Sequence, residues 1–301
     1  MRILTPQDTA RALPYGKLIE AIAEAAAQLA AGTINAPDRL VVPTPNEGVL
    51  LCMPAVAPDI AVTKLITVHN DNPRRGLPAI QGEVTVFDAA TGKRHLLLDG
   101  PTVTARRTAA VTLLGIQRLR TAAPTRALLI GTGVQAAAHA DALATVFPLS
   151  ELRVASRDVA QAQRFCAEVA QLHPALRMQA VAVADLQAAC QDVDVVIALT
   201  TATTPVIPEQ LPPATLAAGV GAFKPTMAEL PAALLHARRI VVDHVAGAQH
   251  EAGDLLRAGI DWSRVQDLTQ AAPDGGPAVL KTVGHAAWDL AAARVALATA
   301  G

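Results

Sequence analysis

Aromatic side chains make up only 2% of this 301-residue chain: four Phe, two Trp and one Tyr. So few rings leave little material for stacking on bases or on a large aromatic ligand. Neither sign of charge dominates. Lys and Arg number 25 against 26 Asp and Glu, a net charge of −1. No basic surface is available for a phosphate backbone, so nucleic acid is not an expected partner. Cysteine is scarce as well. Cys52, Cys166 and Cys190 are far apart and odd in number, which predicts reduced, buried thiols in a cytoplasmic protein rather than a disulfide framework. Long hydrophobic runs are missing, although the mean hydropathy is +0.33. The longest uncharged stretches, 127–140, 195–208 and 210–223, fall short of the roughly 20 apolar residues of a spanning helix. Met1-Arg2-Ile3-Leu4 runs at once into Pro6 and Asp8, which predicts no signal-peptide core.

The chain is rich in small and aliphatic residues: 51% is hydrophobic. From about residue 126 to 268, short apolar runs alternate with amphipathic segments. The runs are 127–131, 152–156, 178–183, 194–200, 216–223 and 239–244, with a helix expected over 158–172. Continuous apolar strands separated by helices predict a parallel sheet covered on both faces. The first third reads differently. An amphipathic helix over 16–31 is followed by expected strands at 39–43, 49–54 and 62–68, and by a hairpin over 84–100 turning at Thr91-Gly92. Such strands predict an antiparallel sheet in a second domain. Helices are expected over 101–120 and 281–300. The predicted boundaries are 1–118 with 286–301 for one domain and 119–285 for the other.

One segment carries a chemical signal. RALLIGTGVQAAAHADA (126–142) is a buried-looking strand, a Gly131-x-Gly133 turn and an alanine-rich helix. A first Gly permits a tight strand-to-helix turn, and a second lets backbone approach a pyrophosphate. A small third residue, Ala136, lets helix and strand pack closely, and the phosphates meet free N–H groups at the helix start. Gly131, Thr132, Gly133, Val134, Gln135 and Ala136 are therefore candidate dinucleotide-binding residues. At the end of the next strand an acid would suit the ribose hydroxyls of NAD. The chain has Ser156-Arg157 instead, and a guanidinium suits a 2′-phosphate. NADP(H) is the preferred expectation, with NAD(H) possible; Asp158 directly afterwards is read as a cap of the next helix.

Residues 64–110 contain a Lys, then Asn72-Pro73 with Gly76-Leu77-Pro78, a DAATG hairpin, and a Thr-x-x-Arg-Thr-x-Ala run from Thr104 to Ala110. GTGVQA (131–136), LTTATTPV (199–206), HEAGDL (250–255) and KTVGHAAWD (281–289) follow in order. Across nearly the whole chain this resembles the ornithine cyclodeaminase/μ-crystallin family. The resemblance implies an α/β fold of two domains. One is a Rossmann domain for NAD(P); the other is α+β, built from both chain ends, with an antiparallel sheet used for homodimerisation. It also implies a small amino, imino or keto acid as substrate, bound in a cleft between the domains. Arg39, Lys64 and Arg107 are expected to bind the substrate carboxylate, with Lys64 and Arg107 as catalytic residues. Arg39 and Lys64 fall on apolar strands, where an unpaired cation is costly. His69 is a candidate acid beside them. Thr200, Thr201 and Ala202 are expected to line the nicotinamide ribose, and Thr108 to reach cofactor phosphate or substrate. Lys281 is expected to start a helix near the cofactor, with Asp289 in a structural ion pair.

The family spans several reactions. In its cyclodeaminases the segment matching VGAFKPTMAEL (220–230) places an Asp near the nicotinamide. This chain has Phe223 there, which cannot pair with an ammonium but makes a dry wall for a ring's methylene edge. The expected activity is therefore NADPH-dependent reduction of Δ1-pyrroline-2-carboxylate or Δ1-piperideine-2-carboxylate to L-proline or L-pipecolate. Ornithine cyclodeaminase, an alanine-type dehydrogenase, and a non-catalytic NADPH-dependent binding protein of the μ-crystallin kind are the alternatives. His244, His250 and Glu251 do not have zinc spacing, and no metal is expected. Arg74-Arg75 is read as a solvated loop.

Overall fold

The computed structural model describes residues 1–300 and divides the chain into two compact units. One comprises Met1–Ala110 and the chain from His285 onward; the other is Val111–Gly284.

The first unit holds a six-stranded sheet. Its strands are β1 (Arg2–Ile3), β2 (Leu40–Thr44), β3 (Gly48–Val56), β4 (Ile60–Val68), β5 (Ile80–Asp88) and β6 (Arg94–Asp99). Their order is β1-β6-β5-β4-β3-β2, antiparallel throughout except where β1 runs parallel to β6. The β5–β6 turn is fixed locally: Asp88 accepts from the backbone N–H and hydroxyl of Thr91, and Gly92 takes a left-handed φ of 70°. Helices cover one face. α1 (Pro6–Ala12) is capped by Thr5, and α2 (Tyr15–Ala30) buries Tyr15, Leu18, Ile19, Ile22, Ala25 and Ala26 at helical spacing. The C-terminal helix, Ala286–Ala300, packs on α2 and on β3, β4 and β5. On β4 the residues facing that side are Ile60, Val62, Lys64 and Ile66. The other face pairs Leu40, Cys52 and Leu65 in register, and Leu40 and Leu65 are exposed there. Cys52 is thus half-buried rather than buried, whereas Cys166 and Cys190 are buried. α3 (Gly100–Leu119) contains the division between the units.

The second unit is an eight-stranded, wholly parallel sheet. Its strands are β7 (Arg126–Ile130), β8 (Glu151–Ser156), β9 (Arg177–Ala182), β10 (Val195–Ala198), β11 (Leu216–Gly219), β12 (Arg239–Val242), β13 (Val265–Asp267) and β14 (Ala278–Lys281). The order is β13-β12-β14-β11-β10-β7-β8-β9. Its helices are α4 (Val134–Val146), α5 (Val159–Leu172), α6 (Leu186–Ala189), α7 (Ala232–Ala237), α8 (Val245–Glu251) and α9 (Gly253–Ala258). α5 buries Ala162, Phe165, Cys166 and Val169, the stripe expected of a helix lying on a sheet. The strand order reverses between β7 and β10, and in open α/β sheets ligands bind outside the carboxyl ends of the strands at such a reversal.

Two further expectations need correction. No helix begins at Lys281. That residue ends β14, and the helix starts at Ala286, because Asp243 accepts from the N–H groups of Val283 and Gly284 and holds a turn with Gly284 at φ 83°. Arg39 is not within a strand; β2 begins at Leu40, and Arg39 is half-buried just before it. Among the described residues no helix is long and apolar enough to cross a membrane.

Gly131 sits at the reversal with φ 119°, and a Cβ there would lie 2.7 Å from the carbonyl oxygen of Leu199. Both strain and clash oppose a side chain. Gly131→Ala is expected to lower the unfolding free energy by about 1–3 kcal/mol, read by chemical denaturation. An unchanged denaturation midpoint would show that the turn tolerates a side chain.

Candidate active site

In the first unit the fold brings Lys64 and Arg107 to one carboxylate. Lys64 lies on β4 in a row of core residues, Arg107 on α3 and Asp289 on the C-terminal helix. The Lys64 ammonium is 2.8 Å from Asp289 Oδ2 and 3.0 Å from Oδ1, and Arg107 Nε donates to Oδ1 at 3.2 Å. Lys64 and Asp289 are 1% and 0% exposed. The two cations therefore have an internal partner, and Asp289 is the residue whose importance a local reading of the sequence underrates. The signal for it was Lys64 itself, since a lysine at a core position of a strand demands an anion.

Burial pushes the Lys64 pKa down to about 7, and Arg107 adds to the effect; Asp289 opposes it, and Arg39 lowers it further. The influence of Arg39 on Lys64 ties that residue to the same cluster. On α3, Thr104, Arg107 and Thr108 share one helix face by spacing. Among the described residues the buried Thr104 hydroxyl has no hydrogen-bond partner, and so it offers a polar contact beside Arg107. His69 lies beyond the end of β4, half-buried, with Nε2 3.5 Å from the Thr44 hydroxyl.

In the second unit the predicted turn follows β7. Gly133 is the N-cap of α4 and no side chain among the described residues caps the helix, while a Cβ at Gly133 would meet none of their atoms within 4 Å. That open space beside uncapped N–H groups fits a phosphate approaching backbone. Ala136 is fully buried, Val134 is 70% exposed, and the buried Gln135 Oε1 has no partner among the described residues. Ser156 ends β8 half-buried, with Oγ 3.4 Å from Gln161 Oε1, and Arg157 is exposed. Asp158 caps α5 by accepting from the N–H of Ala160. These residues fit a dinucleotide.

The loop after β10 carries Thr200, Thr201 and Ala202; the loop after β11 carries Phe223, half-buried, with Lys224 Nζ 5.8 Å from its ring centre. A buried carboxylate unforeseen in the sequence, Glu229, joins the two loops. Its Oε1 accepts from the N–H and hydroxyl of Thr200, and its Oε2 from the N–H groups of Gly221 and Ala222. Lys281, placed near the cofactor by the sequence, is fully buried instead. It pairs with Asp254 at 2.8 Å and donates to the Ala222 carbonyl. His244 caps α8, accepting from the N–H of Gly247.

The class of protein follows from comparison with this geometry in view. The sequence profile of the ornithine cyclodeaminase/mu-crystallin family matches residues 2–272, and the chain belongs to that family. Among its relatives, a Delta(1)-pyrroline-2-carboxylate/Delta(1)-piperideine-2-carboxylate reductase of Azospirillum brasilense is 49% identical over 295 residues, covering 96% of this chain and 93% of that protein. A Delta(1)-pyrroline-2-carboxylate reductase of Burkholderia ambifaria is 48% identical with the same coverage. The fold matches the Thermococcus litoralis Delta(1)-pyrroline-2-carboxylate reductase, solved in complex with NADH and L-proline, with a TM-score of 0.91 at 24% identity, covering 100% of this chain and 97% of that one.

The Lys64 environment is directly measurable. Labelled-lysine NMR should show one resonance titrating near pH 7 that vanishes in Lys64→Met. In Asp289→Asn it should titrate lower still, because the partner that favours the ammonium is gone. Between pH 7 and 10.5 the unfolded chain holds this proton and the folded chain does not, so Lys64 makes stability rise with pH across that window. A Lys64 resonance titrating at the ordinary lysine value would contradict the buried cluster.

Proposed function

We propose that the chain is an NAD(P)H-dependent oxidoreductase acting on C=N bonds. It reduces Δ1-pyrroline-2-carboxylate and Δ1-piperideine-2-carboxylate to L-proline and L-pipecolate, with NADPH preferred. One observation carries the reading: Lys64 and Arg107 share a single buried carboxylate, so with Lys64 protonated the cluster keeps a surplus positive charge away from water. A substrate carboxylate balances that surplus. The names of the nearer relatives support the substrate class, and Phe223 argues against a reaction that must handle a free side-chain amine.

Arg39, Lys64 and Arg107 hold the carboxylate, and Lys64 and Arg107 are the catalytic residues of this reading. The carboxylate sits between these cations and the iminium, which keeps the two positive groups apart. An anion beside Lys64 favours its ammonium form, so substrate binding takes up a proton near neutral pH. Phe223 gives the ring's methylene edge an apolar wall. His69 stands by as a polar group near the cluster. When bound, the reduced nicotinamide supplies the hydride. The protein's part is positioning and electrostatics: reduction removes the iminium charge that the cations oppose.

Gly131, Thr132, Gly133, Val134, Gln135 and Ala136 receive the pyrophosphate, and Thr200, Thr201 and Ala202 the nicotinamide ribose, with Thr108 as a further polar contact. Lys281 acts through the Ala222 carbonyl rather than by touching the cofactor. Ser156 and Arg157 take the 2′-phosphate; because Asp158 is engaged as a helix cap, the Arg157 guanidinium is left for it. The exposed apolar face around Leu40 and Leu65 supports a homodimer built on the first unit's sheet.

The decisive assay follows NADPH oxidation with each cyclic imino acid, and ammonia release from ornithine with NAD. Rapid NADPH loss without ammonia is expected, and Arg107→Ala should lower kcat/KM about 100-fold or more. Ammonia from ornithine would overturn the reading, and NADPH binding without turnover would favour a binding protein. Arg157→Ala should reduce the preference for NADPH over NADH by about tenfold. An unchanged ratio would remove the guanidinium from cofactor choice.

A further inference from the structure

Three charged side chains with no exposure, Glu229, Asp254 and Lys281, lie behind the loops that follow β10 and β11. None belongs to the carboxylate cluster of the first unit, and burying them is costly unless each is paired. Their pairing has a direction. Asp254, on α9, accepts from the N–H groups of Glu229 and Leu230, which fixes the chain carrying Glu229. Lys281 bridges Asp254 to the Ala222 carbonyl. Glu229 then places four donors on one carboxylate: Thr200 N–H at 2.6 Å, Thr200 hydroxyl at 2.9 Å, Gly221 N–H at 2.7 Å and Ala222 N–H at 3.0 Å. Both oxygens act only as acceptors. The loops are also in contact, since a Cβ at Gly221 would lie 2.1 Å from the Thr200 carbonyl oxygen. Burial pushes the Glu229 pKa up, while Lys281 and the N–H donors pull it back.

We propose that Glu229 is a positioning residue for the nicotinamide end of the cofactor, locking the Thr200–Ala202 loop to the Gly221–Phe223 loop so that both keep one conformation before anything binds. The inference rests on the proposed NAD(P)H site and extends it to a residue that touches neither ligand. Asp254 and Lys281 support Glu229 by fixing its backbone and the loop it grips. The loops gripped are those proposed to meet ribose and imine, whereas the phosphate turn at Gly131–Gly133 receives no bond from Glu229. The consequence is separable: loss of the carboxylate should harm the nicotinamide half of the site and spare the adenosine half.

Glu229→Gln tests this, because its amide NH2 would face N–H donors where an acceptor is required. In the folded variant, 2′,5′-ADP should bind within about twofold of wild type. NADPH should bind about tenfold more weakly, and kcat should fall about 100-fold, as expected when charge-assisted bonds that order a site are lost. Equal losses for 2′,5′-ADP and NADPH would assign Glu229 a general structural role and overturn the proposal, as would wild-type NADPH affinity and kcat in a folded variant. Hydrogen exchange on the wild type without cofactor serves if the variant does not fold. The amides of Thr200, Gly221 and Ala222 should be protected, and exchange at the rate of open loops would overturn the lock. Wild-type protein that binds 2′,5′-ADP but no NADPH would overturn the nicotinamide role through its own behaviour, with the exchange result still reporting on the lock.

Discussion

Asp289 is the constraint on which the first unit depends. It lies fully buried on the chain's last helix and holds a lysine from β4 and an arginine from α3. An isolated carboxylate could not remain ionised there. A buried pair adds little net stability over apolar residues of similar shape, yet removing one partner costs about 3–5 kcal/mol because the other is stranded. The cluster thus ties the chain's end to its beginning. It also keeps two cations concentrated at a place where a wholly apolar core would have been easier to build.

The second unit meets a similar problem with a different arrangement. Its sheet leaves long loops, 199–215 and 220–231, at the carboxyl ends of β10 and β11, where backbone N–H groups have no strand to pair with. Glu229 satisfies several of them together, and Asp254 and Lys281 hold Glu229 in place. In both units the buried charges are paired locally and lie beside segments proposed to handle ligand, not deep beneath inert surface. Perturbed, desolvated ionisable groups concentrate at functional sites for this reason.

Much of this was legible in the sequence because its determinants are local. Gly131-x-Gly133 before an alanine-rich helix specifies a strand-to-helix turn by steric rules alone, and the Asp88–Gly92 turn is set by neighbouring residues. Apolar runs of five or six residues announced β7, β8 and β9. β13 is hidden because only Val265 of its three residues is apolar, and β14 because its apolar run, Ala278–Leu280, is cut short by Lys281. The insertion of β14 between β11 and β12 is a matter of chain path, not composition. Lys281 was misread for the same reason: without β14, its motif reads as the approach to a helix. Glu229 and Asp254 look like surface acids, and nothing near them announces Thr200 or Lys281 as partners. Asp289 was visible as an ion-pair former, but its partner Lys64 is 225 positions away in sequence.

Lys64 shows how the fold can make charge conditional. In water its amine would stay protonated throughout the neutral range, and the cluster would be a fixed cation. Burial and Arg107 bring its pKa to about 7, so near neutrality the empty cluster is divided between a balanced form and one with a surplus proton. An anion arriving beside Lys64 selects the protonated form; a neutral molecule does not. The selectivity proposed for a carboxylate therefore comes from two sources acting together, hydrogen-bond geometry at Arg107 and a Lys64 proton that a nearby negative charge stabilises. Because anion binding takes up a proton, that advantage is full below the pKa, where Lys64 is already charged, and falls as pH rises through about 7 and protonation must accompany binding.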